Sequence, residues 1–506
     1  MSHHGFLRGS VAPAAALAVT MTASGAYANL SAEEVWEAWQ AYSAISGGVT
    51  DATLTRDGTT LTATDVVITS DADELVVSAR VDRIDLTEQP DGTVTVTMSD
   101  SYVMEATGEF GQRLVAEIRQ PGMRLTVSAS DTGLNHAIAA PEIEVTLTEL
   151  SGPDIPDTFD MSLNAVGIAG FYDIPRDPGG PFSSHISLGA ANGRVDVRDG
   201  NDVVDLDYSA TGLRLSFGAS GLDQMGMIEA GDMGGALAAG FGLQFGFAYD
   251  TVRYGFEVVE WGERNAASGS AMSGESRFVL DSTELSFRSS SRNSELSVSG
   301  SEIPLPEVGM SAGQIAYGVT LPTAGSPVPQ DIDFLVRLVD VVLPDDVWAM
   351  ADPSGELARG PATVILDLVG SVLLPADLFS METMFGYMMG GPMEAAQPVS
   401  LDVRELLVRA AGAELTGSGS FTFDPDDLDT FDGLPRPEGT LDLALSGGNA
   451  LLDTLVNMGL LPEDQAMAAR MVMALFARPG DGPDQLLSTI EVQEGGAIFA
   501  NGMRIQ

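Results

Sequence analysis

The chain has no cysteine and no lysine: all 24 of its basic residues are arginine. Without cysteine no disulfide can staple the fold, so stability rests on burial. Without lysine there is no amine for a Schiff base, a Ser–Lys dyad or a phosphate-gripping P-loop, and those chemistries are excluded. Histidine is nearly absent as well. Of the four in the chain, His3 and His4 lie in the first residues, leaving His136 and His185. Neither stands in a metal-spaced pair, and each reads as a loop or sheet-face residue rather than a ligand or general base. No His-Glu-x-x-His, no Gly-x-Ser-x-Gly elbow and no Gly-x-Gly-x-x-Gly in a βαβ setting occurs. The residues offer no catalytic constellation, cofactor cradle or metal site, and the expectation is a protein that is not an enzyme.

Long apolar runs are also missing. The best candidates, residues 235–248 and 364–374, are too short or interrupted by Gln244 and Asp367, so no transmembrane helix is expected in the mature chain. Positive charge is scarce: 72 acids give a formal net charge of −48. Such a surface repels nucleic acid and anionic headgroups.

What is present begins with an export signal. His3, His4 and Arg8 form a basic start, residues 11–21 an apolar stretch, and Ala26-Tyr27-Ala28 a small-residue cleavage site. Cleavage after Ala28 leaves Asn29 as the mature terminus and places the protein in the periplasm or the outer envelope. Residues 1–28 hold one Arg and no acid, so the mature charge is −49, from −48 less one.

The mature chain opens on a helix. Ser31 and Glu34 fit a capping box, and Val35, Trp36, Trp39 and Tyr42 follow at helical spacing. The Trp36/Trp39 stripe reads as a docking face and as a candidate apolar contact. From residue 50 to about 320 the period becomes two. Val94, Val96 and Met98 alternate with threonines, Leu213, Leu215 and Phe217 with Arg214 and Ser216, and Leu285, Phe287, Leu296 and Val298 with polar neighbours. Antiparallel strands with one dry and one wet face are expected. Asp57-Gly58, Asp91-Gly92 and Asp199-Gly200 mark hairpins, and the apolar parity slips near Asp82-Arg83, where a bulge or bend is expected. Residues 222–240 read as a helix or lid.

Residues 321–330, with Pro322, Pro327 and Pro329, read as a domain boundary and residues 331–350 as a helical region broken at Pro344. Residues 381–393 are Met-rich; Met384, Met388 and Met389 are candidate apolar contacts. Strands are expected at 362–374, 399–408, 414–423, 440–445 and 487–492, with a helical hairpin at 449–478. The run Asp424, Asp426, Asp427, Asp429, Asp432 lacks the spacing of an EF-hand loop and reads as a solvated acidic turn, with calcium binding the sharper alternative. The expected fold is mainly β with helices (α+β), as long curved antiparallel sheets packed on amphipathic helices. Its domains would be 29–320 and 321–506, after a signal peptide at 1–28.

The segment Glu414-Leu-Thr-Gly-Ser-Gly-Ser-Phe-Thr-Phe423, then Pro437-Glu-Gly-Thr-Leu-Asp-Leu443, Asn449-Ala-Leu-Leu-Asp-Thr-Leu455 and Gly495-Gly-Ala-Ile-Phe-Ala-Asn-Gly502, resembles the carboxyl end of an uncharacterised bacterial family, domain of unknown function 2125. The opening stretch from Ser31 to Tyr42 is similar to that family's amino-terminal helix. These motifs are structural, so the resemblance carries over no catalytic residue. A further likeness, to envelope proteins of the AsmA type with long β-sheets and an apolar inner face, implies lipid handling. The leading expectation is an exported, non-catalytic envelope protein that binds lipid or another envelope component on an apolar sheet face. The alternatives are an outer-membrane β-barrel, prompted by Phe241, Phe245, Phe247, Tyr249, Tyr254 and Phe256 among glycines, and a carboxylate-dependent hydrolase.

Overall fold

The computed structural model describes residues 29–45, 48–72, 75–177, 179–380, 396–431 and 433–505. Among the described residues strand makes up 64% and helix 13%, with every pairing antiparallel. The expectation of mainly β structure holds. Packing on amphipathic helices does not carry over as a general plan, because the helices are few and short. Contacts divide the chain into two compact units, the first ending at Asp199 and taking in Ser209–Phe217, the second comprising Gly200–Tyr208 and everything from Gly218.

In the first unit, α1 (Ala32–Ile45) precedes β1 (Gly48–Asp57), β2 (Thr60–Ala72) and β3 (Leu75–Glu88), which pair in sequence. Two short hairpin partners then share β3. Its last residues pair with β4 (Val94–Met98) and its first with β5 (Ser101–Gly108). The change of partner falls beside Asp82 and Arg83, where the sequence parity slips. Across the pairing, Asp65 of β2 takes a left-handed φ of 54°. β6 (Arg113–Arg119) and β7 (Arg124–Ala129) continue from β5 and β4 and rejoin on the long β8 (Gly133–Ser151), which leads to β9 (Thr158–Pro175) and β10 (Phe182–Asp199). Gly58, Gly92 and Gly200 follow the aspartates of the expected hairpins, all with positive φ.

The apolar parity of these strands makes a dry core. Leu61 and Val66 of β2, Ile84 and Leu86 of β3, Val94 and Val96 of β4 and Val127 of β7 are buried together with Val35 and Trp36 of α1. The helix starts where expected: Ser31 N–H donates to Glu34 Oε2 at 2.8 Å and Glu34 N–H to Ser31 Oγ at 3.2 Å. That reciprocal cap satisfies two orphan donors, and the Ser31 backbone bond holds the Glu34 carboxyl below its usual range.

After β11 (Asp202–Ser220), whose residues divide between the units, come α2 (Met225–Glu229) and α3 (Met233–Ala238), so residues 222–240 are largely helical. A meander follows: β12 (Gly242–Glu260), β13 (Glu263–Leu280), β14 (Glu284–Gly300), β15 (Val308–Pro322), β16 (Ser326–Val341), β17 (Ala362–Leu374), β18 (Gln397–Ala410), β19 (Ala413–Asp424) and β20 (Arg436–Ser446). Each pairs with the next. α4 (Asp345–Ala351) interrupts it. Beyond β20, α5 (Gly448–Asn457) and α6 (Glu463–Phe476) form the expected helical pair. The short β21 (Arg478–Pro479) then precedes β22 (Gln485–Val492), which pairs with β20, and β23 (Ile498–Ala500) and β24 (Met503–Arg504) close the ladder.

One expectation is overturned. Residues 331–341 belong to β16, hydrogen-bonded to β15 and β17, and the only helix in that region is α4. The sequence supports both periods there: Ile332, Leu335, Val336 and Val339 fit a helix, while Ile332, Phe334, Val336 and Leu338 fit a strand. Two neighbouring strands decide for the second. Residues 321–330 carry the turn between β15 and β16, inside the second unit.

Candidate functional site: an open apolar sheet face

The first unit uses its residues for structure. His136 of β8 is fully buried. The Trp39 indole N–H of α1 donates to its Nε2 at 2.8 Å, which leaves the proton on Nδ1, 3.2 Å from the Leu134 carbonyl. The ring stacks on Tyr172 at 4.6 Å and 5°. Burial outweighs the backbone bonds and the more distant Asp173, and pushes the imidazole pKa down to about 4. His136 is thus a neutral anchor between helix and sheet. His185 is exposed and stacks on Phe171 at 5.1 Å. Trp36 lies in the unit's own core and Trp39 packs against it, so both are committed to holding α1. Asn29 is exposed; Ala26, Ala28, Met384, Met388 and Met389 lie outside the described residues.

In the second unit, register brings together what no local window of sequence displays. In an antiparallel pair, directly opposed residues share a face. Phe245 opposes Phe278, which opposes Phe287, then Val319, then Phe334. From Phe334 the row continues through Leu368, Val403, Gly419 and Leu441 to Ile490. Two residues along, a second row contains Tyr317, Val336, Leu366, Leu406 and Leu443, and beyond it a third contains Ile315, Leu338, Val364, Val408, Leu415 and Leu445. A register shift between Asp367 and Leu368 absorbs one extra residue of β18 and keeps Val403 and Leu406 on the same side.

The reverse face is mixed and carries the charges. Asp333, Val369, Asp402, Ser420, Thr440 and Glu491 form one row of it, and Leu335, Ile365 and Leu407 lie in the rows beside it. Arg288 pairs there with Asp333 at 2.9 Å and Arg337 with Glu405 at 2.9 Å.

A sheet with one apolar and one polar face normally buries the apolar one, as the first unit does beneath α1. The second unit covers only part. α2 and α3 supply Met227, Ile228, Met233 and Leu237 over Leu243, Phe278, Leu280 and Leu285, joined by Phe379. In the middle of the ladder, Tyr317, Phe334, Val364 and Val408 remain 37–48% exposed. With strands about 4.8 Å apart and rows about 7 Å apart, the three rows cover roughly 600 Å². That is as large as the biggest apolar patch on an ordinary monomer.

Polar features elsewhere are local. A groove of about 700 Å³ crosses β12 to β15, with Asp207, Arg253, Glu295 and several serines in its walls; the Asp207 carboxylate occupies the space a side chain at Gly255 would need. The acidic run is a turn built on Arg436, which bridges Asp424 at 2.8 Å and Asp427 at 2.9 Å. Asp432 lies outside the described residues. Among the described residues no cluster of three or more His, Asp or Glu is placed to hold a metal ion, and no helix is long and apolar enough to cross a membrane.

The second unit is thus a long antiparallel ladder with one apolar face and one that carries the charges. Residues 255–504 match the model of a family described as an uncharacterized protein conserved in bacteria (DUF2125), and this part of the chain belongs to that family. The match runs from within β12 to the last strand and does not include α1. No curated protein matches the chain.

Proposed function

We propose that the chain is an exported, non-catalytic protein of the bacterial envelope, in the periplasm or at the outer envelope, that binds a lipid or another apolar envelope component on the open face of the ladder. The observation that carries this reading is the continuous row from Phe245 to Ile490 with its exposed middle. The export pattern of residues 1–28 and the family's bacterial distribution support the compartment. A face of this size left to water is costly at about 25 cal/mol per Å² of apolar surface, so a partner that covers it gains accordingly.

The test is native mass spectrometry of the purified protein, with organic extraction and fractionation of the producing cells. The expected result is export with loss of residues 1–28 and an apolar small molecule or envelope protein released on denaturation. A cytoplasmic, full-length protein that carries nothing and binds nothing on a lipid panel would sink the reading. Release from membranes only by detergent would favour the barrel alternative.

A further inference from the structure

We propose that the occupant of the open face is the acyl portion of a zwitterionic phospholipid, its chains lying across the strands from β15 to β18; this rests on the contact reading above and names its ligand. The face itself selects hydrocarbon. Its exposed middle is Tyr317, Phe334, Val364 and Val408, flanked by Val336 and Leu366, and none of these carries a charge. Backbone donors and acceptors of the ladder are taken up by the neighbouring strands. A peptide docked flat on this surface would find no partners for its own amide groups, and burying them unpaired is expensive. Acyl chains bring no such groups.

Charge selects the headgroup. The formal net charge is −48, and the carboxylates of Asp333, Asp367, Asp402 and Glu405 line the reverse of the same strands, outnumbering Arg288 and Arg337 that pair with them there. Two copies apposed face to face would bring two such charge sets together, and an anionic headgroup at the rim meets the same repulsion. A zwitterion carries no net charge to repel and offers an ammonium to the acidic surroundings. Length fits as well: the four strands from β15 to β18 span roughly 20 Å at the usual strand spacing, against about 15 Å for one leaflet's half of a bilayer's hydrocarbon core.

The experiment uses the whole purified protein and vesicles of dioleoyl phosphatidylcholine doped with phosphatidylethanolamine bearing a photoactivatable diazirine in one acyl chain. A parallel arm uses phosphatidylglycerol with the same acyl label. After irradiation the labelled peptides are mapped. Labels should fall on peptides containing Tyr317, Phe334 and Val364, with at least several-fold less capture from the phosphatidylglycerol vesicles. Phe334→Glu should reduce capture about ten-fold, and so should Val408→Gln, a milder change that guards against misfolding. Arg277, directly opposite Arg288 on the reverse face, is the control: Arg277→Gln alters the net charge by the same single unit and should leave capture unchanged.

Labels confined to the reverse face or to α6, equal capture of phosphatidylglycerol, or a stable dimer that shields Phe334 would overturn the proposal. If extraction yields a bound apolar molecule while the labels map elsewhere, this inference fails and the contact reading stands. If nothing is extracted and nothing is captured, both fail.

Discussion

Acid should loosen the first unit through a single residue. His136 is neutral in the fold, with its pKa pushed to about 4, against an ordinary value near 6.5 when the chain is unfolded. Between those two values the unfolded chain takes up a proton that the folded one refuses, so folding stability is full above about pH 6.5 and falls with pH until about pH 4. A gap of about 2.5 pH units at about 1.4 kcal/mol each gives roughly 3.5 kcal/mol in full, of which about 3 kcal/mol is expressed by pH 4. Carboxylates titrate in the same region, so the measurement is a difference. Urea unfolding of the native protein and of His136→Phe, followed at pH 7, 6, 5 and 4, isolates the imidazole. The variant leaves the Trp39 N–H without its acceptor, a penalty that does not vary with pH. The native advantage should therefore shrink by about 3 kcal/mol over this range, and the His136 ring resonances should titrate near pH 4. Parallel stability curves, or a native advantage that grows in acid, would refute the assignment of a buried neutral anchor.

Other expectations follow from named contacts. Ser31→Ala removes one half of the reciprocal cap on α1 and should cost about 1 kcal/mol by denaturant titration, with Ser31→Asp retaining most of it. Arg436→Gln leaves Asp424 and Asp427 facing each other without their shared cation; a loss of about 2 kcal/mol and faster proteolytic cleavage at residues 424–436 should result. Asn293 sits inside β14 with φ 46°, a conformation β-branched residues resist. Asn293→Val should lower stability by about 1–2 kcal/mol, while Asn293→Gly should be nearly neutral by the same assay.

The local parts of this architecture were legible in the sequence. Alternation announced strands such as β14, three Asp-Gly pairs announced turns, and Ser31 with Glu34 announced the helix start, because each signal lies within a few residues of its effect. Residues 331–341 misled, since Ile332 and Val336 belong to both a helical and an extended pattern and only the pairing with β15 and β17 decides between them. The roles of His136 and of the open face were beyond local reading for another reason. Trp39 and His136 are 97 residues apart in the chain. The apolar row depends on register accumulated from β12 to β22, with left-handed residues at Ser273, Asn293 and Asp340 changing the alternation inside single strands. On β14 the apolar positions pass from odd (Leu285, Phe287) to even (Leu296, Val298) on either side of Asn293, which no fixed period would follow.

From β13 to β19 every strand pairs, among the described residues, with the strand before it and the strand after it, as rungs do. A structure of that kind can gain or lose two adjacent rungs and still present the same polarity at both edges, much as solenoid proteins vary in repeat number. Each such step would lengthen or shorten the greasy track by roughly 10 Å at the usual rung spacing without redesign of what remains. The capacity of this surface is therefore open to evolution in whole hairpins, and lineages sharing the module are expected to differ first in rung number.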